Sequence, residues 1–111
     1  MEFRNNGRVP VDYQVWYTTP DQSVEKGTMY DLSSGGCAVC TVGTVQPGTR
    51  LALTILAPDQ PIPITVESAS VRWTALGEFG VEFEGLSEHD RTRLSDLLTR
   101  AMQHLSHLDH R

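Results

Sequence analysis

Apolar side chains recur at every second position through most of this chain, and turn-forming residues interrupt them roughly once every dozen positions. A period of two belongs to a strand with one buried and one solvated face. The first stretch, Val9 to Thr19, sets the pattern: Val9, Val11, Tyr13, Val15 and Tyr17 alternate with Pro10, Asp12, Gln14 and Trp16. Pro20-Asp21-Gln22-Ser23 then reads as a hairpin turn, and Val24 to Leu32 as the returning strand. Cys37 to Val42 is a short, mostly apolar strand, joined by Gly43 to Gly48 to a fourth strand, Arg50 to Ala57, which carries Leu51, Leu53 and Ile55 on one face. Pro58-Asp59-Gln60-Pro61 breaks that run. Ile62 to Thr74 is long, and its apolar parity changes between Val66 and Val71, which predicts a bulge or bend near Ser68 to Ser70. After Ala75-Leu76-Gly77-Glu78, Phe79, Val81 and Phe83 form a last strand. Six strands predict an antiparallel barrel or sandwich. In 111 residues a six-stranded antiparallel β-barrel is the more economical, because closure leaves no edge to protect.

The period changes once, near the C-terminus. Ser87 is a good N-cap, Asp90 stands three residues on as in a capping box, and acidic residues in the first turn suit the helix dipole. Leu94, Leu97, Leu98, Ala101, Met102, Leu105 and Leu108 follow at spacings of three and four, which predicts one amphipathic helix over about residues 87–106. Its apolar stripe fits an open end or flank of the barrel. It also runs past what a small barrel covers, which leaves open a homodimer seam through the helix. His104, His107, His110 and Arg111 form a polar tail.

One domain is expected at this length, and it needs no disulfide or metal staple. The formal net charge of -5 argues against a nucleic acid polymer as the main partner, since a phosphate backbone wants a broad basic surface. It leaves room for a small anion held by a few focused arginines. No apolar run reaches the length of a membrane span and no leader precedes the polar start, so a cytoplasmic protein is expected. Two cysteines are too few for a disulfide framework and suit a reducing compartment.

Little in the chain suggests catalysis. No Ser/His/Asp order, phosphate loop or metal-ligand spacing appears, so no catalytic residue, metal or cofactor is expected. Cys37 and Cys40 lie three apart on a strand, which points their sulfurs to opposite faces, and they read as buried structural thiols. Trp73 either covers a ligand site or packs in the core, and Trp16 is either a partner contact or a barrel-flank residue.

Two short polar segments stand out. Tyr30-Asp31-Leu32-Ser33-Ser34-Gly35-Gly36 ends a strand with a carboxylate and a hydroxyl two residues apart, hence on one side of extended backbone. Ser34-Gly35-Gly36 supplies loose backbone for a tight reversal, with amides that a ligand can approach. The same residues equally make a Ser-capped turn. The other segment, Arg4-Asn5-Asn6-Gly7-Arg8, puts two guanidinium groups on a polar tether, with residues 1–8 read as a flexible arm and 9–111 as the barrel with its helix.

Arg-x-x-x-Arg before the first strand, followed some two dozen residues later by Asp-x-Ser-x-x-Gly after the second, resembles the PilZ domain family. So does the closing strand Phe79-Gly80-Val81-Glu82-Phe83 with a helix behind it. The resemblance implies a six-stranded barrel that binds cyclic di-GMP and acts as an adaptor on an effector protein, in motility, chemotaxis, secretion or exopolysaccharide control. It also admits a protein-interaction module with little or no nucleotide binding, as among pilus-assembly relatives. By resemblance, Arg4, Arg8, Asp31, Ser33 and Gly36 are the expected ligand residues. Guanidinium groups suit phosphate oxygens, the O6/N7 edge of guanine or a base face. Asp31 suits the ring N–H and amino group of guanine. Phe3 stands where many relatives have a further arginine, which favours one ligand molecule over a stacked pair.

Overall fold

A computed structural model describes residues 7–58 and 60–109, with side chains through residue 104. Six strands and one helix follow in order: β1 Val9–Thr18, β2 Val24–Leu32, β3 Gly36–Cys40, β4 Arg50–Leu56, β5 Ile64–Ala75, β6 Glu78–Gly85 and α1 Glu88–Asp109. The strands close into an antiparallel barrel in the order β1-β2-β3-β6-β5-β4, with β1 also paired to β4. The expected fold class is therefore the observed one, with element ends shifted by a few residues.

Alternation fills the barrel. Val9, Val15, Tyr17, Met29, Leu32, Val39, Leu51, Leu53, Ile55, Ile64, Val66, Val71 and Phe79 are all buried in one core. Tyr17 and Phe79 meet edge to face, ring centroids 5.1 Å apart, while the Tyr17 hydroxyl is satisfied 2.8 Å from Thr41 Oγ1. The bend expected near Ser68–Ser70 is present as register shifts of β5 against both β4 and β6. A second shift, between Val71 and Trp73, was not expected. Trp16 lies half exposed on the barrel flank with Lys26 Nζ 5.6 Å from its ring centroid.

The helix starts where the cap predicts. Asp90 N–H donates to Ser87 Oγ at 3.0 Å, and Arg91 N–H to the Ser87 carbonyl at 2.9 Å. Leu94, Leu97 and Leu98 enter the core, and the helix packs on β1 and β5, the strands that flank β4. Arg93 fastens this arrangement by donating to the carbonyls of Ile62 and Pro63, to Gln60 Oε1 and to Asp90 Oδ1. The stripe begins to leave the barrel at Met102, which is 48% exposed; the side chains of Leu105 and Leu108 lie outside the described residues. Ser87→Ala is expected to cost about 1 kcal/mol, read as a lower urea midpoint with an unchanged slope.

One sequence expectation needs correction. Cys37 is buried but Cys40 is exposed, because alternation along a five-residue strand sends them to opposite faces. Burial pushes the Cys37 thiol far up, with the nearby Asp31 carboxylate adding to the shift and Arg8 opposing it. A thiol reagent is therefore expected to label Cys40 alone in the folded protein and both cysteines only after denaturation. Rapid labelling of Cys37 in the fold would contradict this packing. Among the described residues no cluster of metal-ligating side chains occurs, and no helix is long and apolar enough to cross a membrane.

Candidate functional site

β2 ends at Leu32 and β3 begins at Gly36, so the polar segment between them is a tight hairpin loop. It is held from within. Ser33 N–H donates to the Gly36 carbonyl at 2.9 Å. The amides of Gly35 and Gly36 both donate to Ser33 Oγ at 3.2 Å. The loop amides expected to be open to a ligand thus face the serine hydroxyl, which organises the turn. The loop is also tied to β6, since Phe83 N–H donates to the Gly35 carbonyl at 2.8 Å.

Gly36 has a role in the barrel itself. It does not adopt a positive φ. A Cβ at this position would stand 2.2 Å from the carbonyl oxygen of Val81 and 3.3 Å from its carbon. The close approach that glycine permits here is that of β3 to β6, on which barrel closure depends.

The arginine half of the site comes from the start of β1. Arg8 Nε donates to Asp31 Oδ2 at 3.2 Å, so the first strand's entry and the second strand's end are joined by an ion pair. Both side chains keep solvent contact, with 43% and 27% of their surface exposed, so either can be reached by a ligand. Arg4 lies outside the described residues.

Arg8, Ser33 and Gly36 line one open cavity of about 300 Å³, together with Gly35, Cys37, Arg72, Trp73, Gly80, Val81 and Glu82. Asp31 is not among the lining residues and is joined to them only by its ion pair with Arg8. Of the five residues expected from the sequence, three therefore line one cavity and a fourth, Asp31, is paired with one of those three. Trp73 lines the cavity and is not part of the buried core. Its indole lies across Gly80, where a Cβ would fall 2.1 Å from Nε1 and 2.3 Å from Cε2, and it remains 38% exposed. The indole thus packs against β6 at Gly80 and lines the cavity together with Arg8 and Arg72.

Arg72 was not singled out from the sequence. Arg72 Nε donates to Glu82 Oε1 at 2.7 Å, and Arg72 Nη2 also pairs with Glu82 and, at 3.8 Å, with Glu84. The signal that would have found Arg72 is the register shift beside it, which depends on how β5 and β6 align and not on either strand alone. Beyond the cavity lining, this network continues through Ser70 and Arg50, both on Glu84.

Several solved structures share this fold. The Bacillus subtilis inhibitor of motility MotI/DgrA aligns with a TM-score of 0.75 at 20% identity, over 94% of this chain and 53% of that one. Escherichia coli YcgR in complex with c-di-GMP aligns with a TM-score of 0.76 at 16% identity, over 92% of this chain and 47% of that one. The PilZ domain of CeSA from a cellulose-synthesizing bacterium aligns with a TM-score of 0.65 at 18% identity, over 83% of this chain and 94% of that one. The chain thus spans about half the length of the first two proteins and nearly all of the isolated domain. No curated protein matches the sequence. The sequence pattern of the PilZ domain family matches residues 2–100, and on that match, with a barrel built as the family's is, the chain belongs to the PilZ domain family.

Proposed function

We propose that this chain binds cyclic di-GMP in the cavity between the β2–β3 loop and β6, and acts as a non-enzymatic adaptor on a protein partner. The observation that carries this reading is the convergence of Arg8, Ser33 and Gly36 on one cavity with Asp31 bonded to Arg8. A compact dianion with two guanines needs guanidinium groups, a carboxylate that accepts from a guanine edge, and a flat apolar face. Arg8, Asp31 and Trp73 supply one of each. Ser33 acts by holding the loop, and Gly36 by letting β3 close on β6. The binding of c-di-GMP by YcgR supports the same reading. MotI, an inhibitor of motility, supports a motility regulator as one form of the output.

Arg4 joins Arg8 on the ligand in this proposal, so that the segment 1–8 is the part whose arrangement the messenger changes and the partner reads. Equal backbone NMR signatures for Arg4 to Arg8 with and without saturating ligand would remove this switch. A homodimer through the helix beyond Met102 is a separate part of the proposal, checked by sedimentation.

Calorimetric titration tests the core reading. Cyclic di-GMP is expected to saturate one site per chain in the micromolar range, while cyclic di-AMP, which lacks the guanine donors facing Asp31, is expected to bind far more weakly. Absence of saturable heat would instead favour the protein-interaction module.

A further inference from the structure

The β5–β6 pairing changes register inside the site. Val71 pairs with Val81 and Trp73 with Gly80, so Arg72 is the extra residue of a bulge. A bulge re-aims the side chains on either side of it. In regular alternation Val71 and Trp73 would both point inward, and Arg72 alone would face out. Here Val71 stays in the core, while Arg72 and Trp73, consecutive in sequence, both line the outer cavity. A guanidinium that no motif accounts for is thereby placed in the cavity that Arg8 also lines.

Arg72 is also oriented. Its ion pairs use Nε and Nη2, both towards Glu82, with Glu84 at 3.8 Å from Nη2. The Nη1 corner of the fork takes no part in them. With two of its three nitrogens committed to carboxylates, Arg72 is poorly set up to grip the O6/N7 edge of guanine with a two-point fork. It is well set up to present one charged corner to an anion, in a direction that Glu82 fixes. We propose that Arg72 is a specificity-independent phosphate contact for the dinucleotide, delivered by the β5 bulge and held by Glu82. The assignment rests on the cyclic di-GMP reading above.

The test separates this inference from that reading. Wild type, Arg72→Ala, Arg72→Lys and, as a control, Arg50→Ala are titrated with cyclic di-GMP at low and moderate salt, and their melting temperatures are compared. Arg50 belongs to the same carboxylate network through Glu84 but does not line the cavity. Arg72→Ala is expected to weaken binding about tenfold or more, because a charge-assisted contact is lost. It is also expected to flatten the salt dependence and leave melting nearly unchanged, since an exposed ion pair adds little to stability. Arg72→Lys keeps the charge and is expected to stay within about threefold of wild type. Arg50→Ala is expected to match wild type. If wild type binds and Arg72→Ala binds equally well, the Arg72 contact is refuted while the ligand reading stands. If Arg72→Lys is as weak as Arg72→Ala, or Arg50→Ala as weak as either, a local charge contact is refuted. Failure of wild type itself to bind refutes the underlying reading and this assignment with it.

Discussion

Gly36→Ala is expected to lower the stability of the fold by about 3 kcal/mol or more and its melting temperature by more than about 10 °C, whereas Gly35→Ala, one residue away, is expected to stay within about 0.5 kcal/mol of wild type. The two glycines share a loop and differ in what a methyl group would meet. At Gly35 a Cβ has nothing within 4 Å, and its φ is one any residue can adopt. At Gly36 the Cβ would stand 2.2 Å from the Val81 carbonyl oxygen. The obstacle is backbone of a paired strand, so no rotamer change relieves it. Gly36 pairs with Glu82 and Cys37 with Val81, so the strain falls on the first two pairs of a five-residue strand. Either β3 peels from β6 and opens the barrel, or β6 shifts and carries Val81 out of the core. A loss of this size is a large share of a small domain's total stability. Thermal and urea unfolding of the two variants side by side decide the matter. Equal melting points would mean that the β3–β6 approach is not the reason for glycine here.

That comparison also marks how far the sequence could be read. The strands were legible because each buries one face, and Leu51, Leu53 and Ile55 announce that face by period alone. The helix was legible because its cap is local: Ser87 and Asp90 are three residues apart in sequence and bonded in space. The site was legible only in outline. Asp31 and Ser33 were expected to act together on a ligand; within the chain, Asp31 pairs with Arg8 and Ser33 holds its own loop. Arg72 was out of reach, because Val71 and Trp73 fall in phase and suggest one continuous inward face. The residue inserted between them is betrayed only by its partner strand, where Val81 and Gly80 are adjacent. Gly80 was hidden for a related reason: its missing side chain is explained by an indole seven residues earlier in the chain. Contacts set by register between strands leave no periodic trace in either strand. The anchoring of Arg93 on Pro63, some thirty residues away, leaves no local trace either, because it joins the helix to the β4–β5 connection.

Arg8→Ala and Asp31→Asn make opposite electrostatic changes, and both are expected to abolish most of the binding of cyclic di-GMP. Arg8→Ala removes a cation from the cavity and leaves the Asp31 carboxylate without its 3.2 Å partner, beside the place where a dianion must sit. The loss combines a missing charge-assisted contact with a newly exposed like charge, and a reduction of at least about 100-fold is expected. Stability should hardly change, because both side chains are partly solvated and pairs of this kind contribute less than about 1 kcal/mol. Asp31→Asn raises the positive charge of the site and frees Arg8. If charge alone governed affinity, this variant would bind more tightly. If Asp31 accepts from the ring N–H and amino group of guanine, the amide replaces one acceptor by a donor that faces those donors, and affinity falls by about 100-fold despite the favourable charge. Discrimination against cyclic di-AMP should collapse in Asp31→Asn, while in Arg8→Ala the residual affinity should still favour guanine. Titration of both variants with both dinucleotides reads these outcomes directly. Tighter binding by Asp31→Asn would show that the carboxylate merely restrains Arg8, and guanine recognition would have to come from another wall of the cavity.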